Sequence, residues 1–363
     1  MRTFIFKMYH AKRNKHLHRS IDLAGRIYNH LIALHRRYYR LFGKHLGKSR
    51  LQKHITKLKK TKRFSFWNEL NSQAIQQICD RIENAYTLFY RNLKRHVRTA
   101  PPSFRKVKKY RSFTLKQSGY KFQSDSNKVT IMGREYRFFK SRDIEGKIAT
   151  VTVKRDAIGD LRLFVVVEEQ AEIPQIRTGN SAGLDFGLKT FLTRSDGVKI
   201  TSPLFFKQDR KRLIQLCRSL SSKKKGSRNR EKARLALARE YRQIADRRRD
   251  FHFKTALALA KEFALIAVED LNMKVMQRLW GRKISDLGHA SFVKILEWEC
   301  RKHGTKFVMI DRFAASSKTC HVCGEKYDAL TLKERHWKCA YCGTEHDRDI
   351  NAAINILSWG VSS

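Results

Sequence analysis

The chain has 363 residues, with 78 lysines and arginines against 33 aspartates and glutamates, a formal net charge of +45 and a pI near 10.4. A hydrophobic fraction of 41% supports a packed core in two or three domains, and the charge excess, costly through self-repulsion, calls for a polyanionic partner. No run approaches 18 uncharged apolar residues, which excludes a membrane-spanning helix, and the charged start from Met1 to Arg13 lacks the apolar stretch of a signal peptide.

Residues 1–9 read as a short strand. Ile21, Ala24, Ile27, Tyr28, Leu31 and Leu34 recur at helical spacing, as do Ile75, Ile78, Ile82, Ala85, Leu88, Phe89 and Leu93. Residues 1–60 hold 17 Lys or Arg and one acid, Asp22, so the outer faces of these helices are almost purely cationic. Cations spread over the whole chain point to nucleic acid before a membrane surface, which a single basic amphipathic helix would serve. Arg36-Arg37-Tyr38-Tyr39-Arg40 and Tyr136-Arg137-Phe138-Phe139-Lys140 mix cations with aromatics, which suits phosphate contact plus base stacking. Pro101-Pro102 closes the helical region. Strand-like runs at 113–115, 128–131, 148–153 and 161–167, with a turn at Ala157-Ile158-Gly159-Asp160, predict a small β-barrel. Residues 1–10 and 100–178 then form the barrel, 11–99 a helical insert, and 173–179 the linker out of it.

From Ser181 strands alternate with helices, which implies an α/β layer over 179–363. Leu184–Phe191 and Val198–Thr201 read as strands about a Ser195-Asp196-Gly197 turn. Residues 207–249 read as a helical hairpin broken at 221–226, with 17 basic and 4 acidic residues. A helix over 251–263, a buried strand over 265–268, a helix over 292–301, a strand over 306–310 and a closing helix over 349–357 complete the domain.

Cys320-His321-Val322-Cys323 and Cys339-Ala340-Tyr341-Cys342 stand 15 residues apart. Four thiolates at this spacing close a tetrahedral Zn²⁺ site. Gly324 and Gly343 follow the pairs, where a knuckle turn needs positive φ. A site closed by four sulfurs is structural, and His321 and His346 read as surface or packing residues. Cys79, Cys217 and Cys300 read as core thiols. Three acidic segments remain: Gly183-Leu184-Asp185-Phe186-Gly187, Val268-Glu269-Asp270-Leu271-Asn272 and Asp347-Arg348-Asp349-Ile350-Asn351. Each alone has a plain explanation, a turn for Asp185 or a helix cap for Asp349. Glu269 after a buried strand sits where open α/β sheets place their sites. Converging, the three make a hard-cation site suited to phosphodiester chemistry. Gly179-Asn180-Ser181-Ala182-Gly183 matches a nucleophile elbow, but a linker precedes it and a strand follows, the wrong context.

These segments, with Ser316-Ser317-Lys318-Thr319-Cys320 and His346-Asp347-Arg348-Asp349-Ile350-Asn351-Ala352-Ala353, occur in the same order in TnpB proteins. The chain resembles that family, the transposon-associated relatives of type V CRISPR effectors, along its whole length. The resemblance implies a multidomain α+β protein: an N-terminal wedge β-barrel with a helical insert, then an RNase H-like RuvC domain with a zinc-ribbon insertion at 316–345. It implies an endonuclease with Asp185, Glu269 and Asp349 as carboxylates for catalytic Mg²⁺, Asp347 being the rival for the third role. It also implies a noncoding guide RNA and target DNA cut beside a short adjacent motif. The protein would be a monomer with no small-molecule cofactor, in a prokaryotic cytoplasm near the nucleoid. Arg36, Arg37, Lys223, Lys224, Lys225, Arg228, Arg247 and Arg248 are the expected nucleic-acid contacts. Ala314-Ala315 stands where many relatives carry proline, and the extended tail of many relatives is missing after Ser363. A guide-directed repressor that does not cut, a guide-independent structure-selective nuclease, a DNA-joining transposase and a zinc-stabilised RNA-binding protein are the alternatives.

Overall fold

A computed structural model of the chain describes residues 1–123, 126–168, 174–270, 281, 285–311, 315–331 and 334–362. Leu271 and Asn272 of the second acidic segment, Ile173 of the linker, and Ala314 lie outside the described residues. The architecture is mixed α+β, in two compact units of residues 1–171 and 172–363.

The first unit contains β1 (Arg2–Lys7), the helices α1 (Asn14–Phe42), α2 (Lys48–Lys59) and α3 (Ser72–Lys94), and six further strands. These are β2 (Ser112–Leu115), β3 (Tyr120–Phe122), β4 (Lys128–Ile131), β5 (Arg134–Arg137), β6 (Lys147–Arg155) and β7 (Leu161–Glu168). Two antiparallel sheets result, ordered β1-β7-β6-β2 and β3-β4-β5, with a Met8–Phe138 bridge between them. The stripe of α1 is fully buried at Leu17, Ile21, Ala24, Ile27 and Leu31. That of α3 stops short of its expected length: Leu88 and Leu93 are 46% and 47% exposed.

Two expectations change here. Tyr136 and Phe138, read as base-stacking aromatics, are core residues at 1% exposure. Strand alternation sends both to one face, where Phe138 meets Phe6 with ring centroids 5.1 Å apart. Strands β3 and β5 carry no apolar run, being Tyr-Lys-Phe and Arg-Glu-Tyr-Arg, so periodicity alone does not reveal them.

The second unit opens with β8 (Ser181–Asp185), β9 (Leu192–Arg194) and β10 (Lys199–Ile200), then α4 (Phe205–Gln208), α5 (Arg210–Ser221) and α6 (Arg228–Glu262). It continues with β11 (Leu265–Glu269), α7 (His289–His303), β12 (Lys306–Ile310), β13 (His336–Lys338), β14 (Glu345–Asp347) and α8 (Arg348–Val361). The main sheet runs β10-β9-β8-β11-β12; β8, β11 and β12 are parallel, and β9 alone is reversed, since β10 pairs antiparallel with it. The break expected near residue 250, between the hairpin and the next helix, does not occur: α6 is continuous for 35 residues. No Gly or Pro interrupts it, whereas Gly226 at φ 86° and the Ser227 cap separate it from α5.

Helix α8 lies close against the sheet because two glycines make room. A Cβ on Gly183 would fall 2.0 Å from the Ala353 carbonyl oxygen, and one on Gly360 2.4 Å from Ala267 Cβ.

Candidate active site and metal centre

Leu184 of β8 pairs in register with Val268 of β11, and both are fully buried. Side chains alternate along a strand, so Asp185 and Glu269, one residue further, leave the sheet on the opposite face. That is the face of Gly183 and Ala267, against which α8 packs. Neighbouring strands lie about 4.8 Å apart, so the two carboxylates stand side by side at the carboxyl edge of the sheet. The first turn of α8 brings Asp349 within electrostatic reach of Asp185.

The electrostatics follow from that convergence. Burial, then the negative charges of Asp349 and Glu269, push the Asp185 carboxyl up to about 7 against the opposing pull of Arg348 and Arg335. Burial and then Asp270 push Glu269 up to about 7 as well. A buried carboxyl raised by like charges is the signature of carboxylates sharing one site.

The two aspartates of the third segment separate cleanly. Asp347, not Asp349, is the N-cap of α8: its Oδ1 accepts from the backbone N–H of Asp349 at 3.0 Å and of Ile350 at 3.2 Å. Its Oδ2 lies 2.7 Å from Lys199 Nζ. Burial pushes this carboxyl up, but Lys199 and the two N–H groups outweigh burial and hold it below its usual range. The capping explanation for Asp349 therefore does not hold. Its carboxylate instead accepts two bonds from Arg335 Nη1, at 2.8 and 3.2 Å.

The four cysteine sulfurs of Cys320, Cys323, Cys339 and Cys342 all lie within 4.8 Å of one another, the one such cluster among the described residues. Gly324 N–H donates to the Cys320 carbonyl and Gly343 N–H to the Cys339 carbonyl, both at 2.9 Å, with φ 78° and 74°. His346 is buried against Trp337, its Nε2 3.1 Å from Cys320 Sγ. Cys79 and Cys300 are buried as expected. Cys217 is instead exposed beside Tyr241 of α6, on a helix whose only buried residue is Leu213.

The cationic residues divide. Lys223, Lys224, Lys225 and Arg228 are exposed at the α5–α6 turn, which Arg230 ties down through the carbonyls of Leu220 and Lys223 at 2.7 and 2.8 Å. Arg247 is exposed and pairs with Asp209, and Arg248 donates to the Ser285 carbonyl at 2.6 Å. In the first unit Arg36 donates to the Pro102 carbonyl at 3.1 Å, while Arg37 is exposed. Ser181 opens β8 with no helix after it, which removes the nucleophile elbow. Sequence pattern does not single out Lys199, Arg335, Asn351 or Asn355; only the asparagines leave a trace, two amides four residues apart on an apolar helix.

Residues 164–279 match the OrfB_IS605 family model, described as a probable transposase, and residues 289–356 match the Cas12f1-like TNB domain. A Streptomyces pristinaespiralis protein named "Putative RNA-guided DNA endonuclease" is 35% identical over 315 residues, 85% of this chain and 76% of that protein. InsQ of Escherichia coli K12, with the same description, is 25% identical over 352 residues, 92% of this chain and 86% of its own. Among solved structures, a CRISPR-Cas12f ternary complex aligns over 96% of this chain and 82% of that chain, with 16% identity and a TM-score of 0.38.

Proposed function

The chain belongs to the TnpB family of RNA-guided nucleases, and on that premise we propose that it cuts guide-matched DNA beside a short adjacent motif, with Asp185, Glu269 and Asp349 as its catalytic carboxylates. The observation that carries this reading is the Asp185 carboxyl, which feels the charges of both Glu269 and Asp349. A five-stranded sheet in which only β9 runs against the rest supports an RNase H-like, RuvC-type domain. The two N-terminal sheets take the place of the wedge barrel, and α1 to α3 that of the helical insert.

Three carboxylates that meet electrostatically at Asp185 are hard oxygen donors, the set that fits Mg²⁺. Mg²⁺ bound there would supply Lewis acidity toward the attacking water and the leaving oxygen. The chain's own role is placement: β8 and β11 fix Asp185 and Glu269, and Asp347 with Lys199 fixes the start of α8 and so Asp349. The four cysteine sulfurs fit a closed structural zinc site. Exposed Arg37, Lys223, Lys224, Lys225 and Arg228 neutralise backbone phosphates, and base pairing with the guide reads sequence. A charge of +45 opposes self-association and favours one chain per guide RNA, at the nucleoid of a prokaryotic cytoplasm. No described helix is long and apolar enough to cross a membrane.

The test is plasmid cleavage with Mg²⁺ by protein carrying its copurified RNA, set against Asp185→Ala. We expect guide-matched cutting by the native chain and binding without cutting by the variant. Binding without cutting by both would identify a repressor, and RNA-independent cutting of branched DNA a guide-independent nuclease.

A further inference from the structure

Helix α8 presents one face to the sheet, through Ala353 and Gly360, and another to the cysteine module. On that second face Asn351 and Asn355, one turn apart, are only 1% and 5% exposed. Buried amides need partners for their polar atoms, and theirs belong to the approach to the first cysteine knuckle. Asn351 Oδ1 accepts from the His321 backbone N–H at 3.0 Å and lies 2.9 Å from the His321 ring Nδ1. Asn351 Nδ2 donates to the Thr319 carbonyl at 2.7 Å. Asn355 Nδ2 donates to the carbonyls of Ser316 at 2.8 Å and Thr319 at 2.6 Å.

The other half of the module grips the same turn. Arg335, just before β13, donates to both oxygens of Asp349, and its carbonyl accepts from Arg348 N–H at 2.8 Å. Strand β14 runs directly into α8. Four clustered thiolates repel one another unless a cation holds them, so the knuckle keeps its shape only when metal is bound. A loosened knuckle withdraws Thr319 and His321 from two buried amides next to Asp349.

We infer that Asn351 and Asn355 are positioning residues that couple the two metal centres. Metal in the cysteine site strengthens divalent-ion binding at the carboxylates, and an ion at the carboxylates retains the metal in the cysteine site, as linkage requires. The inference rests on the reading of both centres given above. A merely structural asparagine pair would alter stability and leave the two centres independent.

Zinc release separates these cases without any appeal to cleavage. Full-length protein carrying its RNA is challenged with a zinc-selective chelator, with and without saturating Ca²⁺. In the native chain Ca²⁺ should slow zinc loss by about fivefold or more. In Asn351→Ala and Asn355→Ala, both starting at one zinc per chain, the rate should no longer respond to Ca²⁺. Asp185→Ala, which removes a carboxylate ligand and leaves the knuckle intact, should lose the response too. In single-turnover cleavage the asparagine variants should need about tenfold more Mg²⁺ for half-maximal rate, with an unchanged rate at saturation. Should Asn351→Ala fail to load zinc, Asn351→Ser and Asn355→Ala carry the comparison. Variants that release zinc faster but keep the native Ca²⁺ factor would overturn the coupling alone. A native chain that binds no zinc would overturn the cysteine reading with it.

Discussion

Asp347 and Asp349 stand two residues apart and do different work. Asp347 caps the helix and pairs with Lys199; Asp349 turns its carboxylate toward Arg335 and the charge of Asp185. Their substitutions should therefore part company. Asp347→Ala removes a cap worth about 1 kcal/mol, lowers the melting temperature and leaves measurable cutting. Asp349→Asn removes one of the two like charges that crowd the desolvated Asp185 carboxyl, so the metal-free protein should melt higher while cutting disappears. A fall in melting temperature for Asp349→Asn would contradict this account of the cluster. Both aspartates are visible in the sequence, but their division of labour is not. It depends on which backbone N–H groups each reaches, a matter of one turn of helix geometry.

The scale of whole elements shows where pattern reading succeeds. Strand β11 is legible from its short apolar run, because a strand buried on both faces admits little else. Strand β12 falls where its run predicts but is half exposed, and the strand expected over 184–191 runs instead over Ser181–Asp185. Helix α6 reads as two helices, a hairpin arm ending at Arg249 and a second helix from Phe251; a stretch without Gly or Pro continues as one helix that packing supports. The bonds of Arg335 and Asn351 are not legible, because their partners lie 14 and 30 or more residues away. Where α6 and α7 meet, His252 and His289 are buried, with Nε2 atoms 2.9 Å from the Leu287 carbonyl and 3.2 Å from the Phe191 carbonyl. Burial lowers both to about 4. A histidine held neutral by the fold stabilises it above pH 6.5, and that stability is lost as pH falls toward 4. Asp185 and Glu269, raised to about 7, act in the opposite sense, since the native state binds their protons more tightly. The comparison to make is thus between the native chain and His252→Gln. On going from pH 7.5 to about 5 the native melting temperature should fall by at least about 2 °C more than that of the variant. Equal falls would show that His252 is not held neutral.

For the molecule as a whole, charge is the property that most constrains behaviour. With +45 formal charges the free protein repels itself, and its partner must be a polyanion in any reading of the fold. Composition makes that legible at once, yet it cannot say which cations are available. Arg247 and Arg248 are occupied within the fold, whereas Lys223, Lys224 and Lys225 project from an exposed turn. Replacing these three lysines with glutamine should weaken nucleic-acid binding and flatten the plot of log affinity against log salt by about 2 to 3. An unchanged slope would assign the turn to solvent.

The missing side chain at Gly183 has one last effect. With the Ala353 carbonyl only 2.0 Å from where a methyl group would sit, alanine at this position must act as a wedge that lifts the last helix off the sheet. The acids would all survive, spread apart like a hand that can no longer close. A cutter could thus become a mere binder through one carbon atom, with its charge and its guide untouched.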